Sequence, residues 1–277
     1  MNGIPAPYEA PRKALDIIDN GPVYHITTPR IKNPTLAGTA FRKQIKFPIG
    51  WEASNLQITD HDAPEVESCY AKAIDLLMDA GETRDLFVSF FGLWRHYLVR
   101  GDRQKTREVA TRLYELSQKL NDHSALTAAE RVMCTSCYYW GQNALAVKHA
   151  EKGVSLRRPE EMLRNALLYL NEPTISCLGY WAMALWHLGA PDQARQKIDE
   201  AIRQSRDLGH AHTLTISRLF DSMLAQFCRQ TEQTRDKAKA LISLCSQGGI
   251  CAGKSRVRSC MAGPSQLSDT RKQASNS

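Results

Sequence analysis

The sequence predicts an all-α protein in which helical hairpins stack into a solenoid. Apolar residues follow a helical period from Pro64 to about residue 246, and Gly, Asn-Asp or Pro-Asp turns interrupt that period at intervals. The helical segments also recur as an internal repeat, whose turn glycines Gly101, Gly141 and Gly189 are 40 and 48 residues apart. One helical hairpin cannot bury its own apolar face, so repeats of this length stack on each other.

The first 60 residues are predicted to be irregular. Seven of the twelve prolines fall within residues 1–48, and no apolar period continues past them for more than a turn or two. The helical repeat domain is assigned to residues 61–246. Residues 247–277 are rich in Arg, Ser and Gly and are predicted to be a disordered basic tail.

The helical region divides into a half repeat and four hairpins. The segment APEVESCYAKAIDLL supplies a second helix, with Tyr70 and Ala73 in the corresponding places, and its first helix is not evident. Three copies follow as YLVRGDRQKTREVATRLYEL, YYWGQNALAVKHAEKGVSL and LWHLGAPDQARQKIDEAIRQS. A weaker fourth copy reads FCRQTEQTRDKAKALISLCS.

Small residues recur where the two helices of a hairpin must approach closely. Five, nine or twelve residues after a turn glycine the sequence has Ala110, Ala146, Ala150, Gly153, Ala194 and Ala201. The turn at Gly189 also has the Leu-Gly pair, formed by Leu188 and Gly189. Together these features are a degenerate tetratricopeptide (TPR) pattern. It predicts a TPR-like right-handed superhelix.

Residues 63 to about 247 resemble the C-terminal TPR region of bacterial signalling proteins that join a class III adenylate/guanylate cyclase to an AAA-type ATPase. The stretches that carry the resemblance are APEVESCYAKAIDLL, GLWRHYLVRGD, KTREVATRL and EPTISCLGYWAMALWHLGAPDQA. These stretches span about two thirds of the chain and contain no catalytic residues. The resemblance therefore implies a scaffold and transfers no cyclase or ATPase residues.

Both ends of the chain depart from that family abruptly, at FPIGWEASNLQITDHD and after Gln247. An out-of-frame translation would produce such a tail, so one hypothesis is that the chain is a truncated remnant without independent function. The last hairpin lacks a polar capping unit, which predicts open apolar surface at Leu241, Ile242 and Leu244. We expect self-association through that repeat.

A nucleotide-binding protein is the alternative interpretation. The segment GGICAGKS, from Gly248 through Gly253 and Lys254 to Ser255, matches the pattern of a phosphate-binding loop. Such a loop needs a strand before it and a helix after it. A helical period precedes Gly248, and only 22 residues follow Ser255, so the context argues against a nucleotide site.

Charge and cysteine usage exclude other classes of function. The net charge is +7, but residues 61–246 hold 24 basic and 23 acidic residues, so no basic surface for nucleic acid is predicted. No apolar stretch is long enough to cross a membrane, and cytoplasmic residence is expected.

Cys134 and Cys137, although spaced as CxxC, are interpreted as reduced core thiols. His210 and His212 lack partner ligands and are interpreted as helix-entry residues rather than a metal site.

We therefore expect a non-catalytic scaffold with no cofactor that binds a protein or peptide on its concave face. In a TPR-like array, the first helix of each hairpin lines that face. The side chains predicted to contact a partner are Arg95, Arg131, Tyr138, Met183, Trp186 and Arg218.

Overall fold

A computed structural model describes residues 64–78, 81 and 83–247, and this part of the chain contains ten α-helices and no strand. The helices are α1 (Pro64–Met78), α2 (Arg84–Arg100), α3 (Arg103–Leu120), α4 (His123–Tyr139), α5 (Asn143–Ser155), α6 (Met162–Leu168), α7 (Pro173–His187), α8 (Pro191–Leu208), α9 (Ala211–Phe227) and α10 (Thr231–Gln247). Residues 1–60 and 248–277 lie outside the described residues, whereas Gln247, which the sequence analysis assigns to the tail, is the last residue of α10. The all-α prediction is confirmed.

The helices form the four predicted hairpins α2/α3, α4/α5, α7/α8 and α9/α10, with α1 as the preceding half repeat. Each hairpin packs its two helices together, and the second helix of each also packs on the first helix of the next. The first helices α4, α7 and α9 pack side by side as well. This pattern of contacts is that of a helical solenoid.

The turn glycines adopt the left-handed conformation that the sequence pattern requires. Their φ angles are 75° at Gly101, 78° at Gly141 and 83° at Gly189. Glycine reaches this region without the steric cost that a Cβ imposes. In the fourth hairpin the same position is held by Arg229, with φ at 57°, which explains why that copy is the weakest in sequence.

The small residues after the turns lie between packed helices, as predicted. Ala110, Ala146, Ala150, Ala194 and Ala201 are all fully buried. Larger side chains at these positions would force the helices of a hairpin apart.

A short insertion accounts for the longer repeat between Gly141 and Gly189, and the sequence pattern did not predict it. Residues Pro159–Glu161 form a 3₁₀ turn that leads into the seven-residue helix α6. Its Met162 is buried against Ile175 and Leu178 of α7. Met162 and Ala166 of the insertion thus extend the core, while residues 157–160 are exposed.

The end of the array is better covered than the sequence predicted. Leu241 is only 1% exposed because it packs with Ala238 against Leu219 of α9. The prediction of open surface was therefore wrong for Leu241. Ile242 and Leu244 are partly buried.

Candidate functional site

A row of aromatic side chains runs across the carboxyl-terminal halves of the first helices α4, α7 and α9. The ring of Tyr138 lies 5.6 Å from that of Tyr180 and 5.7 Å from that of His187. Trp186 continues the row, at 5.0 Å from His187 and 4.8 Å from Phe227. These spacings are those of rings in edge-to-face or tilted contact. The aromatic row also includes Tyr139, at 5.4 Å from Tyr138.

The edge beside the aromatic row exposes apolar surface. Tyr139 is 42% exposed, and Val99 and Leu188, which also lie just before turn glycines, are 47% and 52% exposed. Tyr138, Tyr180 and Trp186 are partly buried. Apolar and aromatic surface that recurs from one repeat to the next is typical of a contact surface for a protein partner.

Arg131 is a buried cation with little compensation. It is 7% exposed, and its Cζ lies 5.2 Å from the ring centroid of Phe91 and 6.0 Å from that of Trp94. Its Nη1 donates a 3.4 Å hydrogen bond to the carbonyl of Tyr169, while Nε has no hydrogen-bond partner. Burial lowers the pKa of Arg131 to about 10, and no carboxylate among the described residues is within ion-pair distance of it.

Arg95 and His212 lie within electrostatic reach of Arg131. Burial lowers the pKa of Arg95, on α2, and the charge of Arg95 in turn contributes to lowering the pKa of Arg131. His212, on α9, has a pKa of about 4, mainly because of burial and then because of the charges of His210, Arg95 and Arg131. We call Arg95 and Arg131, together with the neutral imidazole of His212 beside them, the cationic cluster. Because α4 and α7 separate α2 from α9 in the stack, the cluster joins helices that are not neighbours.

Glu172 is the acidic residue that faces this cluster. It caps the amino terminus of α7, where its Oε2 accepts hydrogen bonds from the Thr174 hydroxyl at 2.6 Å and the Ile175 amide at 2.7 Å. Burial raises its pKa, although these hydrogen bonds oppose the change. Its charge stabilises the protonated form of Arg131 without forming an ion pair. The helix cap therefore uses Oε2 of Glu172, while Oε1 is buried without a hydrogen-bond partner.

The six side chains predicted to contact a partner do not share one surface. Arg95 and Arg131 belong to the cationic cluster, and Tyr138 and Trp186 belong to the aromatic row. Met183 is fully buried in the core between α7 and α9, where it offers no surface to a partner. Arg218 lies in a separate cleft, beside Asp221.

His212 and Asp221 are site residues that the sequence pattern did not single out for these roles. The sequence pattern interprets His212 as a helix-entry residue and predicts no role for Asp221. Spacing along the sequence cannot show them because their partners come from other helices.

The buried cysteines and the helix-entry His210 lie where the sequence pattern predicts them. Cys134, Cys137 and Cys177 are free and buried, and burial raises the pKa of Cys134 well above its usual value. His210 caps α9, with its Nδ1 2.8 Å from the hydroxyl of Thr213. Within the described residues, no group of three or more His, Cys, Asp or Glu side chains is placed to hold a metal ion.

The nucleotide-binding alternative concerns residues 248–255, which lie outside the described part of the chain. The residues directly before Gly248 form helix α10, which extends to Gln247. A phosphate-binding loop would follow a strand at this point. In the part of the chain that the structure covers, no helix is both long and apolar enough to span a membrane.

Comparison with known proteins establishes similarity of fold and nothing further. No family model and no curated protein sequence matches this chain. Two crystal structures of a Podosopora anserina protein described as a kinesin light chain with nearly identical TPR-like repeats match at TM-scores of 0.51 and 0.49, each with 12% identity, covering 79% of this chain and 99% of that chain. BtubC (BKLC) from P. vanneervenii matches at a TM-score of 0.47 with 13% identity, covering 76% of this chain and 93% of that one. The described region thus has the fold of a TPR-like helical repeat.

Proposed function

We propose that the protein is a non-catalytic scaffold that binds a segment of another protein along its first helices. The observation that carries this proposal is the placement of Arg131 and Tyr138 on α4. They are seven residues apart, so they lie on the same side of the helix at a separation of about 10 Å. Tyr180 of α7 links them, since its ring contacts that of Tyr138 and its side chain lies within electrostatic reach of Arg131.

The chemistry of this face defines the partner segment. The cationic cluster at one end has no carboxylate at ion-pair distance within the described residues, so it would be stabilised by an acidic side chain or a terminal carboxylate. The aromatic row at the other end offers Tyr and Trp rings, which are enriched at the centres of protein interfaces. A segment with an acidic residue about 10 Å from an apolar one fits both ends.

Two further elements of the proposal rest on the sequence. From the resemblance to cyclase/ATPase signalling proteins, we propose a signalling protein of that type, acting in the cytoplasm, as the partner.

We also propose that copies of the chain self-associate through the last hairpin, where Ile242 and Leu244 are only partly buried. Sedimentation velocity of the full chain and of an Ile242→Glu variant tests the proposed self-association. We expect the native chain to associate as its concentration rises, and the variant to remain unassociated.

Selection of a random peptide library on the immobilised full chain tests the main proposal. Peptides recovered from the selection are labelled, and their affinities are measured by fluorescence anisotropy. We expect a consensus that pairs an acidic with an aromatic or aliphatic residue. Arg95→Glu and Tyr138→Ala should each weaken binding about tenfold or more, as expected for interface residues of these types.

Arg112→Glu is the matched control. Arg112 lies on the second helix α3, its side chain is 42% exposed, and its ion-pair partner within the described residues is Glu115 at 3.8 Å. Its replacement should leave peptide affinity unchanged. A consensus without acidic residues, or equal effects of Arg95→Glu and Arg112→Glu, would contradict the proposed binding face.

A further inference from the structure

A polar cleft separates α8 from α10, and Asp221 of α9 forms its floor. The cleft has a volume of about 440 Å³, within the range of pockets that bind small ligands. Ile202 is the apolar residue in its lining. The cleft therefore suits a charged group better than an apolar one.

The floor of the cleft is a buried carboxylate surrounded by cations. Asp221 is 4% exposed, and its Oδ1 accepts hydrogen bonds from Arg195 Nη1 at 2.7 Å and from Lys237 Nζ at 2.5 Å. Arg218 Nη1 lies 3.8 Å from the other oxygen. Three helices thus bring three cations to one carboxylate, which fixes the positions of these side chains.

Arg195 is held from two sides and keeps one donor free. Its Nη2 lies 3.1 Å from Asp199, the other acidic residue of the cleft, while its Nη1 contacts Asp221. Its Nε is buried and has no hydrogen-bond partner. The two carboxylates therefore hold the guanidinium group of Arg195 in place at the cleft.

Two further guanidinium groups in the cleft are not neutralised. Arg203 and Arg206, three residues apart on α8, line the cleft and form no ion pair with an acidic residue of the described chain. Burial lowers the pKa of Arg218, and the charge of Arg206 lowers it further. Counting all its charged side chains, the cleft holds five basic and two acidic residues.

We infer that this cleft binds a phosphoryl group through Arg203 and Arg206, which line it together with Arg195. A carboxylate would neutralise only one of the two uncompensated guanidinium charges, whereas a phosphate monoester carries nearly two negative charges near neutral pH. Arginine side chains match the geometry of phosphate oxygens with paired hydrogen bonds. The residues of this site are not those of the cationic cluster or the aromatic row. An experiment can therefore reject the phosphoryl site without rejecting the proposed binding face, and the reverse.

Isothermal titration calorimetry with the full chain tests this inference at fixed ionic strength. The probes are inorganic phosphate, pyrophosphate, a phosphoserine peptide, and the same peptide with glutamate in place of phosphoserine. We expect saturable binding of at least one phosphate-containing probe and at least about tenfold weaker binding of the glutamate peptide. Preference for the phosphopeptide over free phosphate would identify a modified protein as the source of the group, and the reverse preference would identify a free phosphate compound.

The double variant Arg203→Gln/Arg206→Gln should weaken that binding about tenfold or more. Both side chains are exposed, so the variant should retain its helical circular dichroism. Arg235→Gln is the matched control, because Arg235 is exposed on α10 outside the cleft and pairs with Glu232. Absence of saturable phosphate binding, equal affinity for the glutamate peptide, or equal effects of the double variant and the control would overturn the inference.

Discussion

Gly153 of α5 lies so close to Cys177 of α7 that a Cβ on the glycine would come within 2.8 Å of the cysteine sulfur. Gly153 is one of the small residues of the repeat pattern, and here it permits the second helix of one hairpin to touch the first helix of the next. In an exposed helix, replacement of glycine by alanine is stabilising by up to about 1 kcal/mol. The contact with Cys177 reverses that expectation.

We expect Gly153→Ala to lower the free energy of unfolding by about 1–3 kcal/mol, because the added methyl group overpacks the interface. Chemical denaturation measures the change. Cys177→Ala removes the sulfur, so the double variant should recover part of the loss. Strictly additive effects of the two substitutions would contradict a direct contact.

The conformation of the hairpin turns predicts opposite effects at two equivalent positions. Arg229→Gly should raise the free energy of unfolding by about 1 kcal/mol, since Arg229 holds a left-handed conformation that glycine adopts without strain. Gly189→Ala should lower it by a similar amount. Thermal unfolding of both variants checks the signs, and a destabilised Arg229→Gly would show that the side chain of Arg229 matters more than its backbone.

His212 predicts a loss of stability in mild acid. Its pKa falls from about 6.5 in an unfolded chain to about 4 in the folded protein. Between these values the unfolded chain binds a proton that the folded protein does not, so stability decreases as the pH falls from about 6.5 towards 4. We expect the difference in Tm between pH 7 and pH 4.5 to be smaller in His212→Gln. His187→Gln, which replaces an exposed histidine, should retain the native difference.

The buried thiols should resist alkylation in the native protein. Burial raises the pKa of Cys137 to about 11 and that of Cys134 well above its usual value, so neither thiol forms much thiolate at pH 8. Mass spectrometry after iodoacetamide treatment should find Cys134 and Cys137 unmodified, and the partly buried Cys228 modified first among the described cysteines. Rapid formation of a Cys134–Cys137 disulfide under mild oxidation would instead indicate redox chemistry.

Replacement of Arg95 by an apolar residue should raise stability and weaken binding. Its partly buried charge has no carboxylate partner within the described residues, so Arg95→Met should raise the free energy of unfolding by about 1 kcal/mol. The same substitution should weaken binding of the selected acidic peptides. Arg112→Met, at an exposed ion pair, should change neither quantity appreciably. A destabilised Arg95→Met would show that the cation contributes to folding rather than to recognition.

The sequence by itself determined the fold class, the positions of the four hairpins and their turns. These features depend on local chemistry: the helical period of apolar residues, glycine at the left-handed turn positions, and small residues such as Ala146 and Ala194 where helices approach closely. The repeat also showed which helices would come first in each hairpin. It could not separate a core side chain such as Met183 from a surface one, because both follow the same period.

Only the tertiary structure decided which charged side chains meet. The cationic cluster brings Arg95 of α2 near His212 of α9, and the floor of the cleft joins Asp221 to cations from α8 and α10. These contacts depend on how successive hairpins are rotated and spaced in the stack. Helical periodicity gives the direction of a side chain on its own helix, whereas the distance between side chains on different helices depends on the packing of the whole array.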